Sequence, residues 1–428
     1  MTPADRRFDI ILFGATGFVG ELTARHLAEH APEHTRIALA GRSMDKLTAL
    51  QADLSARPGC ERAAGWELIE ADAHDPGAMA DLAAATTVIV TTVGPYAKYG
   101  MPLVQACADA GTHYADLTGE VLFVRRSADA WHARAAETGA KIVHACGFDS
   151  IPSDLGVLLT AQTAGDDGEG ELGRTVLYVR SLRGGFSGGT IDSMRTQAIE
   201  SRASTDDRRI VNDPYGLSPD RSAEPARTSN RPKASGPLDV VKGVVKGLPV
   251  RRTPDGHWTG PFVMAGFNTR IVRRSNALLD HAYGRTFSYN EIMDFGTSAK
   301  APAVATAMTA GLLGVAGGMQ FGPTRAVLDR LLPKPGDGPS EENQGRGRFR
   351  MEIEARTTTG ARFRTTVAAQ ADPGYSGTAI MLGQSALCLA HDDLPDRAGV
   401  LTPAVAMGSV LADRLRAQGF TLTTERVD

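Results

Sequence analysis

Cysteine is scarce. The chain has four (Cys60, Cys107, Cys146 and Cys388), none in a CxxC spacing. That leaves no disulfide framework and no zinc site to organise the fold, and a reducing, cytoplasmic compartment is expected. Charge of one sign is also missing: 46 Lys plus Arg stand against 49 Asp plus Glu, for a net charge of −3. No bulk electrostatic drive toward nucleic acid or an anionic membrane follows from such a balance. Long lipophilic runs are absent. The run at residues 10–13 is too short for a signal peptide. The one long uncharged stretch, residues 301–324, is mostly Ala and Gly and holds Pro302 and Pro323 near its ends. It reads as a buried or membrane-grazing helix rather than a span, because insertion rewards Leu, Ile and Phe. No GxSxG, HExxH or P-loop lysine motif occurs, which leaves hydrolase, zinc-protease and kinase chemistry without support.

What is present is ordinary globular composition, with 42% apolar and 22% charged residues over 428 positions, enough for two or three domains. Residues 1–150 alternate strand and helix patterns. Strands are expected at 8–13, 36–40, 66–70, 87–93, 113–115 and 141–144. Helices are expected at 17–30, 45–54, 76–84, 101–110 and 121–138. Strands separated by helical patterns predict right-handed βαβ units, a doubly wound parallel sheet of Rossmann type. After Gly147 the rhythm changes to that of a second, α+β domain over 151–374. It contains a helix at 151–160, a strand at 175–181, helical stretches at 190–201, 261–280 and 301–332, a strand at 286–294 and a hairpin at 348–370. Residues 203–257 read as one long irregular segment, a lid, binding loop or flexible stretch. Residues 375–428 are expected to be mainly helical and to pack back on the first domain.

Chemistry concentrates at expected strand ends. Gly14-Ala15-Thr16-Gly17-Phe18-Val19-Gly20 follows the first strand and opens a helix, a GxxGxxG variant of the dinucleotide fingerprint. Gly14 permits the turn, Gly17 lets backbone approach a pyrophosphate, Gly20 allows close helix packing, and the helix N-terminus favours phosphate. The second strand ends in Gly41-Arg42-Ser43 with no acid, where an NAD site would place Asp or Glu on the ribose 2′-hydroxyl. Arg42, Ser43 and Lys46 suit a 2′-phosphate, so NADP(H) is the expected cofactor. Asp72 is placed to accept from the adenine amino group. Thr92, Gly94 and Pro95 would wall the ribose and nicotinamide. Tyr96 and Tyr99 are candidate proton donors, with loop packing as the alternative. Asp116, Asp149 and Asp154 lie at further strand ends, where capping is an equal reading. Cys146 reads as a small filler.

GATGFVG, AGRS, TTVGPYAKYG, THYADLTGE, HACGFDSIPSDLG, then Asp372-Pro373-Gly374-Tyr375 and the run 399–404 together resemble the saccharopine dehydrogenase-like oxidoreductases. The resemblance is strongest to the actinobacterial trans-acting enoyl reductases and spans nearly the whole chain. It implies a nicotinamide cofactor, a Rossmann domain joined to an α+β substrate domain, and reduction of an α,β-double bond left by polyketide synthases during complex lipid assembly. The expected substrate is an acyl or polyketide thioester, free or carrier-bound. Tyr96 would be a hydrogen-bond or proton donor. Reduction of an imine or ketone, and a non-catalytic NADP-binding scaffold or sensor at a lipid surface, are the other readings. Residues 301–321 with Phe262, Met264, Phe267 and Met319 read as a packed core or dimer helix, with an acyl groove as the alternative. The basic stretch with Lys242, Lys246, Arg251 and Arg252 would meet an acidic carrier or a membrane surface. A peripheral membrane contact and a homodimer both fit the sequence; nucleic acid does not.

Overall fold

The computed structural model describes residues 6–184, 193, 195–196, 199–200, 204–225, 250–318, 324 and 345–427. Lys242, Lys246, Met319 and Phe321 lie outside the described residues, as do much of the 190–201 stretch and the 301–332 helix beyond residue 318.

The first sheet is built from β1 (Phe8–Phe13), β2 (Ile37–Gly41), β3 (Glu67–Glu70), β4 (Thr86–Thr91), β5 (His113–Ala115) and β6 (Lys141–Val143). β1 and β2 are almost wholly buried apolar runs, which a parallel sheet needs because helices cover both its faces. Those helices are α1 (Phe18–His30), α2 (Met44–Ser55), α3 (Pro76–Ala85), α4 (Tyr96–Tyr99), α5 (Met101–Ala110) and α6 (Val121–Thr138). Local chemistry fixes their starts: Asp75 accepts from the N–H groups of Gly77 and Ala78, and Pro76 opens α3.

The second sheet comprises β7 (Leu172–Arg183), β8 (Arg251–Arg252), β9 (Trp258–Pro261), β10 (Ser288–Asp294), β11 (Arg348–Thr357), β12 (Arg362–Ala369) and β14 (Thr421–Arg426). It is mixed, in the order β14-β12-β11-β7-β10-β9-β8, with only β7 and β10 parallel. Burial alternates along β11 and β12, so one face packs on α7 (Ile151–Asp166) and the other meets solvent.

Several expectations change. The strand expected at 175–181 runs from Leu172 to Arg183, and the helix expected at 261–280 is Ala265–Leu278 with β9 before it. The 203–257 segment holds the helix Thr205–Asn212 and the strand β8. The C-terminal region is not purely helical. Its helix Ser376–His391 packs on α1 and the first sheet, and then β13 (Gly399–Leu401) joins that sheet beside β6 in parallel. The first sheet is therefore seven-stranded, β13-β6-β5-β4-β1-β2-β3. At Val400 the backbone is held from outside the sheet: its N–H donates to His132 Nδ1, and its carbonyl accepts from Arg274.

Candidate functional site

Strand order reverses between β1 and β4, which puts a crevice at the carboxyl ends of the strands. A cavity of about 600 Å³ lies there. Gly14 has φ +87°, and a methyl on it would come within 2.8 Å of both Thr92 and Val93. Thr92 Oγ1 donates to the Gly14 carbonyl at 2.9 Å and fixes this turn. A methyl on Gly20 would lie 2.2 Å from the Gly14 carbonyl oxygen, so only glycine lets α1 start this close to β1. Gly17 heads α1 without a side-chain cap and faces the cavity. The arrangement is a phosphate cradle.

Of the expected cofactor residues, Gly14, Thr16, Gly17, Arg42, Ser43, Lys46, Asp72, Thr92, Gly94 and Pro95 line this one cavity. The other four do not. Ala15 is buried, Phe18 meets the Tyr375 ring edge-on at 5.1 Å, the Val19 carbonyl accepts from Thr23, and Gly20 sits under the turn. Arg42 and Lys46 are exposed at the rim, while Ser43 caps α2 by accepting from Lys46 N–H. Asp72 accepts from His74 N–H at 2.9 Å. His74 lines the cavity and packs edge-on against Tyr99 at 5.1 Å. Sequence reasoning missed His74; its place two residues after Asp72, in the loop leaving β3, was the available signal. Tyr99 thus lines the half of the cavity beside β3.

Tyr96 is also corrected. Its ring is 5% exposed and does not line the cavity. Its hydroxyl donates to the Thr91 carbonyl and accepts from Leu117 N–H, both at 3.2 Å. Burial pushes its pKa well above the ordinary value. It packs a loop and has no proton to offer the cleft.

Behind these loops lies a polar knot. Asp116 accepts from Tyr114 OH (2.9 Å), from the N–H groups of Thr118 and Ala145 (both 3.0 Å), and meets His144 Nδ1 at 2.7 Å. His144 Nε2 contacts Ser127 Oγ at 2.8 Å. The Ser127–His144–Asp116 spacing is that of a hydrolase triad, but all three side chains are at most 1% exposed, so no substrate reaches it. Glu120 accepts from the N–H groups of Tyr96 and Ala97 and holds α4. Asp154 takes Ser275 Oγ and Ala404 N–H, tying α7 to the C-terminal segment. Cys146 is buried, with its thiol pushed well up by burial. All four cysteines are unpaired.

Buried titratable groups predict opposing pH dependences of stability. Burial raises Asp149 to about 7, Asp154 to about 6 and Glu291 to about 7. The folded state therefore holds protons that the unfolded chain releases; this stabilisation is fully present below the unfolded values near 4 and is lost as pH rises from there to about 7. Burial lowers His26 to about 3 and His113 to about 4, so their contribution is present above the unfolded value near 6.5 and is lost as pH falls. Between about pH 4 and 7 the two sets therefore pull the melting midpoint in opposite directions. Relative to wild type, Glu291→Gln should gain melting midpoint as pH rises from about 4.5 to 7; a difference that does not change with pH would contradict the Glu291 assignment.

In the second domain Phe262, Met264 and Phe267 are core residues at 4–6% exposure, not groove walls. The helix Ala301–Gly318 leaves Val304, Met308 and Leu313 nearly half exposed. No helix among the described residues is long and apolar enough to cross a membrane. A second cavity, about 620 Å³, lies on the open face of the second sheet and is lined by Arg174, Tyr178, Arg356, Arg362 and Arg364 among others.

Residues 10–143 match the family model for the saccharopine dehydrogenase NADP binding domain. The whole chain is 47% identical over 437 residues to a trans-acting enoyl reductase of Mycobacterium tuberculosis, covering 100% of both chains. It is 46% identical over 441 residues to one of Mycobacterium ulcerans, again covering 100% of both. The solved saccharopine dehydrogenase (L-Glu forming) of Saccharomyces cerevisiae shares its fold: TM-score 0.53 at 13% identity, over 98% of this chain and 100% of that one. A Rossmann cavity lined by a phosphate cradle and full-length likeness to these reductases make the chain a member of the saccharopine dehydrogenase-like oxidoreductases, homologous to the trans-acting enoyl reductases.

Proposed function

We propose that this oxidoreductase uses NADPH to reduce the α,β-double bond of an acyl or polyketide thioester during assembly of a complex lipid. The observation that carries the cofactor choice is the end of β2. Arg42 and Lys46 flank the cavity there with no carboxylate at the ribose position, which suits a 2′-phosphate and disfavours a 2′-hydroxyl. The enoyl substrate rests on the full-length likeness to trans-acting enoyl reductases. When bound, the dinucleotide supplies a hydride. The protein's own part is to hold it. The first turn of α1 takes the pyrophosphate, Arg42 and Lys46 the 2′-phosphate, Asp72 the adenine amino group, and His74 with Tyr99 the base face. Excluding water and orienting the acceptor carbon would then provide most of the acceleration.

The substrate arrives free or on an acidic carrier protein. Arg251 and Arg252, exposed on β8, are the described part of the basic stretch that would meet it. The exposed apolar side chains of the helix Ala301–Gly318 offer a face for a membrane surface or a second copy of the chain. The site of action is the cytoplasm or its membrane boundary.

The test is NADPH oxidation with a trans-2-enoyl thioester, a ketone and an imine in parallel, with products weighed by mass spectrometry. The expected product is the saturated thioester, heavier by two hydrogens. Turnover of the ketone or imine alone would replace this reading with the corresponding reductase.

A further inference from the structure

A dinucleotide held by the α1 turn and the end of β2 would cross the sheet at the β1–β4 reversal, and its reactive end would then lie on the side of β4, β5 and β6. Most titratable side chains at those strand ends are already engaged. Tyr96 is spent on backbone, Asp116 and His144 on each other, Glu120 on α4, Cys146 on the Val143 carbonyl and Asp154 on the C-terminal segment. Asp149 differs. It follows β6 in the loop that carries the chain into α7, stands outside the walls of the 600 Å³ cavity, is partly covered, and accepts no hydrogen bond from any described residue. A methyl at Gly119, in the loop after β5, would lie 3.6 Å from Asp149 Oδ2, so the missing side chain leaves room beside the carboxyl. The loop itself is rigidly set. Ala145 is held at φ 64°, a conformation most residues avoid, by the bond from its N–H to Asp116. Phe148 packs edge-on against Phe349 of the second sheet at 4.9 Å.

From this placement we infer that Asp149 is the proton donor of the reaction. The inference rests on the enoyl-reductase reading. Hydride adds to the β-carbon as NADPH becomes NADP⁺, the double-bond electrons move onto the α-carbon and thioester oxygen, and the α-carbon takes the carboxyl proton of Asp149. The carboxylate left behind is reprotonated from solvent. Burial raises Asp149 to about 7, and among the described residues no charged neighbour contributes. Among the described residues, the titratable side chain that senses it from a packed element is Tyr96 on α4, which stays neutral. A donor poised near neutral pH is what general-acid catalysis requires.

Asp149→Asn forfeits no hydrogen bond to a described residue, so it should fold and bind NADPH as wild type does. Its kcat on an enoyl thioester should drop by about a hundredfold or more. Wild-type kcat should fall above pH 7, and the variant's should not. In D₂O the wild type should deuterate the α-carbon on one face only, the variant on both. The wild-type-minus-variant infrared difference should contain one carboxyl band that disappears through pH 7, while the band of Glu291 stays common to both proteins. A wild type active on enoyl thioesters beside an equally active, equally pH-dependent Asp149→Asn would overturn the role alone. A wild type that turns over no enoyl thioester would overturn the proposed function, and the role with it.

Discussion

Asp116→Ala should bring the protein close to unfolding. The substitution leaves Tyr114 OH, His144 and the N–H groups of Thr118 and Ala145 without their shared acceptor, all in the interior. Each buried group left unsatisfied costs about 1–3 kcal/mol, so the loss runs to roughly 4 kcal/mol or more. That is a large share of a total stability of about 5–15 kcal/mol. Asp116→Asn keeps one acceptor oxygen for the two backbone N–H groups and should fall between the two. Urea midpoints for the three proteins measure this. Equal midpoints for Asp116→Ala and wild type would show that water reaches the knot and satisfies its members.

The second large effect is on cofactor choice. Arg42→Ala should weaken NADPH binding by about tenfold to a hundredfold, the equivalent of one charge-assisted contact of about 1.5–3 kcal/mol. NADH binding should change little, because the residue is assigned to the phosphate that NADH lacks. Fluorescence titration of both nucleotides with both proteins reads the difference directly. Equal losses for NADPH and NADH would instead make Arg42 an adenine-stacking residue without selectivity for the phosphate.

Much of the first sheet could be read in the chain because its signals are local. Each βαβ unit carries its own apolar strand, its own helical pattern and its own punctuation, as in Asp75-Pro76 before α3. The glycine turn could be read for the same reason: its three glycines act within seven residues. The Tyr96 hydroxyl could not be placed that way. Whether it faced the cleft or the interior depended on Leu117, twenty-one positions on, whose N–H it accepts. The Asp116 knot is likewise assembled from β5, β6 and α6, and nothing in HYADLTGE announces a buried acceptor of four contacts. β13 is the extreme case. Three residues, Gly399–Leu401, look like a loop, and become a strand only because β6 presents an open edge to them.

That late strand has a consequence for how the chain is made. The first sheet begins at Phe8 and is finished by residues that leave the ribosome after the whole second sheet except β14. Until then β6 is a bare edge, able to recruit any extended segment, including one from a neighbouring nascent chain. The bonds from His132 and Arg274 to Val400 close the new edge once it forms, one from each half of the molecule. A chain stopped before Gly399 should therefore not behave as a smaller stable protein, but self-associate through β6. The two halves cannot be separated by a single cut between them, because the molecule is fastened like a strap passed back through its own buckle.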